Sequence, residues 1–221
     1  MTNKLESLPN VRAWWLWTLA SGFLGLLIGA LGQVAPATLV AQFSFDKFLN
    51  ASGNGLADAI AFAAGEVYSP KFAVAITLIS AGLVWWLGKS RLDAIAVVAI
   101  IAFGWLPAEA FKLLINEARP NQSELSHLVV AQEIDNAFPS GHVCFAIAFG
   151  YAMFLLAKPT RLRTLVAVLW PVSVLVMAWA RLYSGVHYAT DVLGSVFASM
   201  AGLVLLGFIW NKAVAALKAK A

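Results

Sequence analysis

The stretch Leu92–Ile115, LDAIAVVAIIAFGWLPAEAFKLLI, decides the fold class. It is long and apolar enough for a spanning helix, which needs ~20 mostly apolar residues. Yet it ends on Glu109 and Lys112, groups that are costly to bury in lipid without a task or a partner. Working outward, Ala13–Leu31, Phe72–Leu87, Val143–Leu156, Leu165–Leu182 and Val192–Trp210 read as further spans. The stretch Leu39–Tyr68, with Asp46, Lys47 and the turn-like Asn50–Gly55, reads as an interfacial or re-entrant helix instead. Composition agrees. Only 12% of the 221 residues are charged and 61% are hydrophobic, with mean hydropathy +0.81. A soluble domain carries roughly a quarter charged residues, so that class is excluded. The single cysteine, Cys144, lies in an apolar run and reads as a small core residue.

No repeat and no long linker divides the chain, so residues 1–221 are expected to form one all-α, polytopic membrane bundle of about six transmembrane helices. The first apolar segment exceeds the roughly 7–15 residues of a signal-peptide core, which makes it a span. Placing the N-terminus in the cytoplasm puts Lys4, Arg12, Lys89, Arg91, Lys158, Arg161, Arg163, Lys212, Lys218 and Lys220 inside. Lys47, Lys71, Lys112, Arg119 and Arg181 then fall outside. That bias predicts cytoplasmic termini at the plasma (inner) membrane. Trp14, Trp15, Trp17, Trp85, Trp86 and Trp210 then form an aromatic belt near the cytoplasmic ends.

Three polar motifs fall together on the outer side. Lys112 and Arg119 are two helical turns apart and share a face if the helix continues past Ile115, with Pro120 ending it. Pro139-Ser140-Gly141-His142 opens a helix, with Pro139 suited to its first turn. The free N–H groups of such an end attract anions, Gly141 permits close approach, and His142 can supply a proton. His187 and Asp191 are four apart and are expected to meet on one helical face. The carboxylate would set the imidazole tautomer and free the other nitrogen as a base or nucleophile. Arg181 can fork two donors onto phosphate oxygens. Glu109 is expected to pair with Lys112 one turn on. Glu117, Glu124, Glu133, Asp135 and His127 read as solvated loop residues. His127, His142 and His187 form no helical zinc pair, and the surrounding cations would oppose a divalent ion, so no metal and no cofactor is expected.

Lys112 and Arg119-Pro120, Pro139–His142, and Arg181 with His187 and Asp191 resemble, in order and spacing, the three signature motifs of the type 2 phosphatidic acid phosphatases. The resemblance covers roughly Leu92 to the end of the last span, and the apolar spans separate the chain from the soluble haloperoxidases of that superfamily. It implies that His187 attacks phosphorus, that Asp191 orients it, and that His142 protonates the leaving oxygen and then activates water. Lys112, Arg119, Arg181, Ser140 and Gly141 would hold the phosphate oxygens. One departure stands out: the family usually has serine before the third-motif arginine, where this chain has Ala180. The expected activity is hydrolysis of a lipid phosphomonoester or pyrophosphate, of phosphatidic acid, phosphatidylglycerol phosphate or undecaprenyl pyrophosphate type. The expected partners are that lipid and the bilayer, with no nucleic acid. Transfer of the phosphoryl group to a second acceptor, or a catalytically inert lipid-phosphate binding or transport protein, are the alternatives.

Overall fold

The structure, a computed structural model, describes residues 5–220. Lys4, one of the counted cations, lies outside the described residues. Among the described residues, nine α-helices follow in order: α1 (Trp14–Val34), α2 (Pro36–Ala51), α3 (Gly55–Val67), α4 (Pro70–Gly88), α5 (Arg91–Trp105), α6 (Pro107–Ile115), α7 (Gly141–Leu156), α8 (Arg161–Tyr183) and α9 (Ala189–Lys218). The expected third span is broken in two. Pro107 has no N–H to continue the ladder, so α5 closes at Leu106 and α6 starts afresh. The Leu39–Tyr68 region is two helices, with Asn54 capping the second by accepting from the N–H groups of Leu56 and Ala57.

α1, α4, α5 with α6, α8 and α9 are long and apolar enough to cross a membrane, and α7 is an apolar helix of 16 residues. Only 11% of the apolar window of α4 and 22% of that of α8 is buried within the protein. The rest of that apolar surface has no partner among the described residues and suits a lipid one. Polytopic and all-helical, the bundle matches the expected class.

α5, α7 and α9 form the centre. Val97, Ile100, Phe145, Ala152 and Leu206 are buried there. The wholly buried Phe145 meets Tyr68 and Trp105 edge-on, with ring centroids 5.3 and 5.6 Å away. α1 runs antiparallel to α9, with Trp14 stacked on Phe208 at 4.0 Å and Gly25 close to Phe197. The segment before α1 folds over the far end of α9, where the Trp210 Nε1–H donates to the Leu5 carbonyl at 3.0 Å. Both described ends therefore lie at one pole of the bundle. The loops after α6 and α8 lie at the other.

Phe138, just before the Pro-Ser-Gly-His motif, is fully buried between α1 and α9. A Cβ on Gly29 or Gly194 would come within 2.8 or 2.3 Å of its ring. Glycine at these two positions is what lets the ring in and so sets where α7 begins. Gly194→Val should cost about 1–3 kcal/mol by overpacking, read as a lower Tm in detergent. An unchanged Tm would show that the ring moves aside freely.

Candidate active site

The three motifs converge on one cavity of about 970 Å³ at the pole opposite the termini. Lys112, Arg119, Gly141, His142, Arg181 and His187 all line it. Two of the expected residues stand outside the wall. Asp191 is wholly buried behind His187. Ser140 is wholly buried too, and its hydroxyl has no partner among the described residues.

His187 is the residue most tightly specified. Its Nδ1 lies 3.0 Å from Asp191 Oδ2, and its Nε2 lies 3.1 Å from Arg119 Nη1. A guanidinium has five donors and no lone pair, so it can only donate. The Nε2 atom must therefore be the acceptor, and the ring proton sits on Nδ1, pointing at Asp191. The pair was expected on one helical face, but His187 lies before α9 begins. Asp191, in the first turn of α9, folds back instead and accepts from the Tyr188 N–H at 2.9 Å as well as from the imidazole. Burial first, and then the Arg119 and Arg181 guanidiniums, hold the His187 pKa well below the ordinary 6.5.

Arg119 does not sit on an extension of α6. Asn116 adopts the left-handed conformation (φ 52°) and ends the helix, so Lys112 and Arg119 do not share a helical face. Arg119 reaches the site from the following loop, held by the Val186 carbonyl at 2.7 Å and the Asp135 carbonyl at 3.0 Å. α7 begins at Gly141, with Ser140 as its N-cap, so Pro139 precedes the helix rather than opening its first turn. Ser195 of α9 ties the two helix starts together. Its hydroxyl lies 3.0 Å from the Ser140 carbonyl and 2.7 Å from that of Asp191. That stitch carries no spacing signal in the sequence.

The acidic residues of the loop between α6 and α7 are not simply solvated. Asp135 pairs with Lys112 and, at 2.6 Å, with Arg119. Glu133 pairs with Arg181 and, at 2.6 Å, with Arg119. All three cations of the site thus carry a carboxylate from this loop. Asp135 is the partner of Lys112 where Glu109 was expected, while Glu109 lines the cavity beside it. Burial alone would raise the Asp135 pKa, but Lys112 and Arg119 outweigh it and hold the carboxyl below its usual range. Glu124 instead pairs with Lys47, Glu117 is wholly buried, and His127 lies 3.5 Å from Asp58, away from the cavity. A local excess of acid seven to nine residues before His142 was the available clue to Glu133 and Asp135. Cys144 is buried in the core, as expected.

The sequence model of the PAP2 superfamily matches residues 93–214, a stretch containing Lys112, Arg119, Glu133, Asp135, His142, Arg181, His187 and Asp191. The chain belongs to the PAP2 superfamily. A bacitracin transport permease protein, BcrC of Bacillus licheniformis, is 31% identical over 116 residues, 50% of this chain and 53% of its own length. Undecaprenyl-diphosphatase BcrC of Bacillus subtilis (strain 168) is 28% identical over 100 residues, 44% of this chain and 46% of its own. The chain thus spans about half the length of these relatives. The crystal structure of a transmembrane PAP2-type phosphatidylglycerolphosphate phosphatase from Bacillus subtilis shares the fold, with a TM-score of 0.73. It is 19% identical, and the match covers 89% of this chain and 96% of that one.

Two outcomes follow from this PAP2 geometry. With only three histidines in the chain, ¹⁵N resonances of histidine-labelled protein can be assigned by single substitutions. The His187 ring should remain neutral and Nδ1-protonated at pH 6.5, and a doubly protonated ring there would contradict the geometry. Asp135→Asn removes a half-exposed carboxylate competing for Lys112 and Arg119. It should lower the orthophosphate concentration that half-protects the protein from thermal unfolding by about two- to fivefold. An equal or higher concentration would mean that this carboxylate does not compete.

Proposed function

We propose that the protein is a membrane lipid phosphatase that cleaves a terminal phosphoryl group from a lipid phosphomonoester or diphosphate through a phosphohistidine, without a metal ion. The observation that carries the reading is the clasp on His187. A ring with its Nδ1 proton held by a carboxylate and its Nε2 lone pair directed at a cationic cavity is arranged for nucleophilic attack, a feature that anion binding alone does not need. The relatives named for undecaprenyl diphosphate and phosphatidylglycerolphosphate support a substrate whose phosphate is joined to a large apolar body. Phe62, Tyr68, Trp105 and Leu106 also line the cavity and suit that body.

In the proposed reaction the substrate anion displaces Glu133 and Asp135 and takes over their cations. Arg119 then swings its Nη1 donor from His187 to a phosphate oxygen, which frees Nε2. Nε2 attacks phosphorus in line and the bond from phosphorus to the lipid-side oxygen breaks. His142 gives its proton to that oxygen, and Asp191 stabilises the imidazolium. Water then attacks the phosphohistidine, giving its proton back to His142, and orthophosphate leaves with His187 regenerated. Lys112, Arg119 and Arg181, with the Gly141 N–H, stabilise the equatorial oxygens, while Ser140, buried behind the wall, is the N-cap of the helix that presents that N–H. Phosphoryl transfer depends mainly on such positioning and charge stabilisation.

We assign the site to the extracytoplasmic face of the plasma (inner) membrane. Antiparallel helix order supports this, because it gathers Arg12, Lys89, Arg91, Lys158, Arg161, Arg163, Lys212 and Lys218 toward the pole away from the cavity. The excess of basic loop residues belongs in the cytoplasm.

The test is orthophosphate release from one purified lipid phosphate at a time, with a chelator present. The wild type should release orthophosphate and His187→Ala should release none, while His142→Ala should fall by about 10²–10⁴-fold. Acid-labile ³²P label on the wild-type chain should vanish in His187→Ala. Turnover that survives that substitution on every lipid would end the proposal, and turnover abolished by the chelator would end its metal-free form.

A further inference from the structure

Glu117 is a buried acid beside the site that the mechanism above does not use. It is 1% exposed, lies two residues before Arg119, and ranks among the largest fully buried side chains. Its backbone carbonyl accepts from the Ala137 N–H at 2.8 Å, which closes the base of the loop. Its carboxyl is pressed against α1, where a Cβ on Gly32 would stand 2.3 Å from Oε2. On the other side it lies within hydrogen-bonding reach of the Asp191 carboxyl. Neither oxygen of Glu117, nor Asp191 Oδ1, receives a donor from any described residue.

Two ionised carboxylates cannot share such a place. Like charges in contact raise each other's cost of ionisation, and an unpaired buried charge is costly by itself. One proton held between them removes both penalties and forms a strong charge-assisted hydrogen bond. Asp191 Oδ2 already accepts from the His187 ring and from the Tyr188 N–H, and such bonds favour its ionised form. Glu117 accepts no such bond from any described residue, so nothing there favours its ionised form. The proton therefore rests on Glu117. The Tyr188 phenol is pushed to about 12, by burial first, and keeps its own proton.

We propose that Glu117, protonated, is a positioning residue that donates a hydrogen bond to Asp191 Oδ1 and so holds the Asp191 carboxylate square to the His187 ring. The proposal rests on the phosphatase reading for its kinetic consequence but not for the proton itself. A neutral Glu117 restrains Asp191 without adding a second negative charge behind the nucleophile. Ionised, it would repel Asp191 and loosen the alignment that in-line attack requires.

The test uses the full chain in detergent, with infrared and kinetic arms. At pH 7 and without substrate, the wild-type infrared spectrum should contain a protonated-carboxyl C=O band that disappears in Glu117→Gln and shifts in Asp191→Asn. Glu117→Gln keeps a neutral donor and should retain kcat within about threefold. Glu117→Met keeps the volume and loses the donor. It should lower kcat by about 10–100-fold with KM changed far less. If Glu117→Met does not fold, the infrared band and the glutamine variant still decide. Absence of that band, a glutamine variant as damaged as the methionine one, or a methionine variant with wild-type kcat would each overturn the proposal. A wild type inactive on every lipid, with the band present, would instead count against the phosphatase reading alone.

Discussion

A cation inside an apolar bundle must have an anion beside it, and the site is organised around that requirement. Lys112, Arg119 and Arg181 reach one cavity from three parts of the chain, and each is mostly or wholly withdrawn from solvent. Burying them uncompensated would cost several kcal/mol per ion. The loop between α6 and α7 supplies Glu133 and Asp135, which hold the cations in place without neutralising them by proton loss. A phosphate group offers the same charge and more acceptor oxygens, so exchange is electrostatically conservative. On the proposed reading, the cations are kept assembled by groups that the substrate can replace.

The same logic runs behind the nucleophile. Arg119 can only donate and Asp191 accepts, so the imidazole between them has one permitted tautomer. That ordering is built from backbone as much as from side chains. Asp191 is at once the His187 partner and the residue that caps α9 through Tyr188, while Ser195 binds the start of α9 to the start of α7. A helix start is a sound mounting for such a group, because its first N–H groups lack intrahelical partners and donate to a side-chain oxygen in their place. The glycines of α1 and α9 facing Phe138 complete the mounting by letting the loop sink between the helices.

PAP2 membership and the half-length matches to its relatives set the level at which the comparisons speak. The family model matches residues 93–214, the stretch that holds the charged and capping residues of the site. The similarity to the phosphatidylglycerolphosphate phosphatase, at 19% identity, is one of fold. Apolar helix surfaces facing lipid tolerate exchange among Leu, Val, Ile and Phe, so a shared bundle needs little shared sequence.

Hydropathy and charge placement determined the helical membrane class from the sequence, because a bilayer leaves an apolar chain few ways to satisfy its backbone. Motif spacing selected the side chains that now share the cavity or stand behind it, since cations and histidines are too costly at span ends to be incidental there. Other features needed tertiary structure. Asn116 ends α6 and sends Arg119 in from a loop, Pro107 splits a span that hydropathy reads as continuous, and Asp135 displaces Glu109 as the Lys112 partner. Glu117, Glu133 and Asp135 look alike in the sequence, three acids in one polar loop. Their separate roles come from which helix each one faces, and local composition carries no record of contacts made across the bundle.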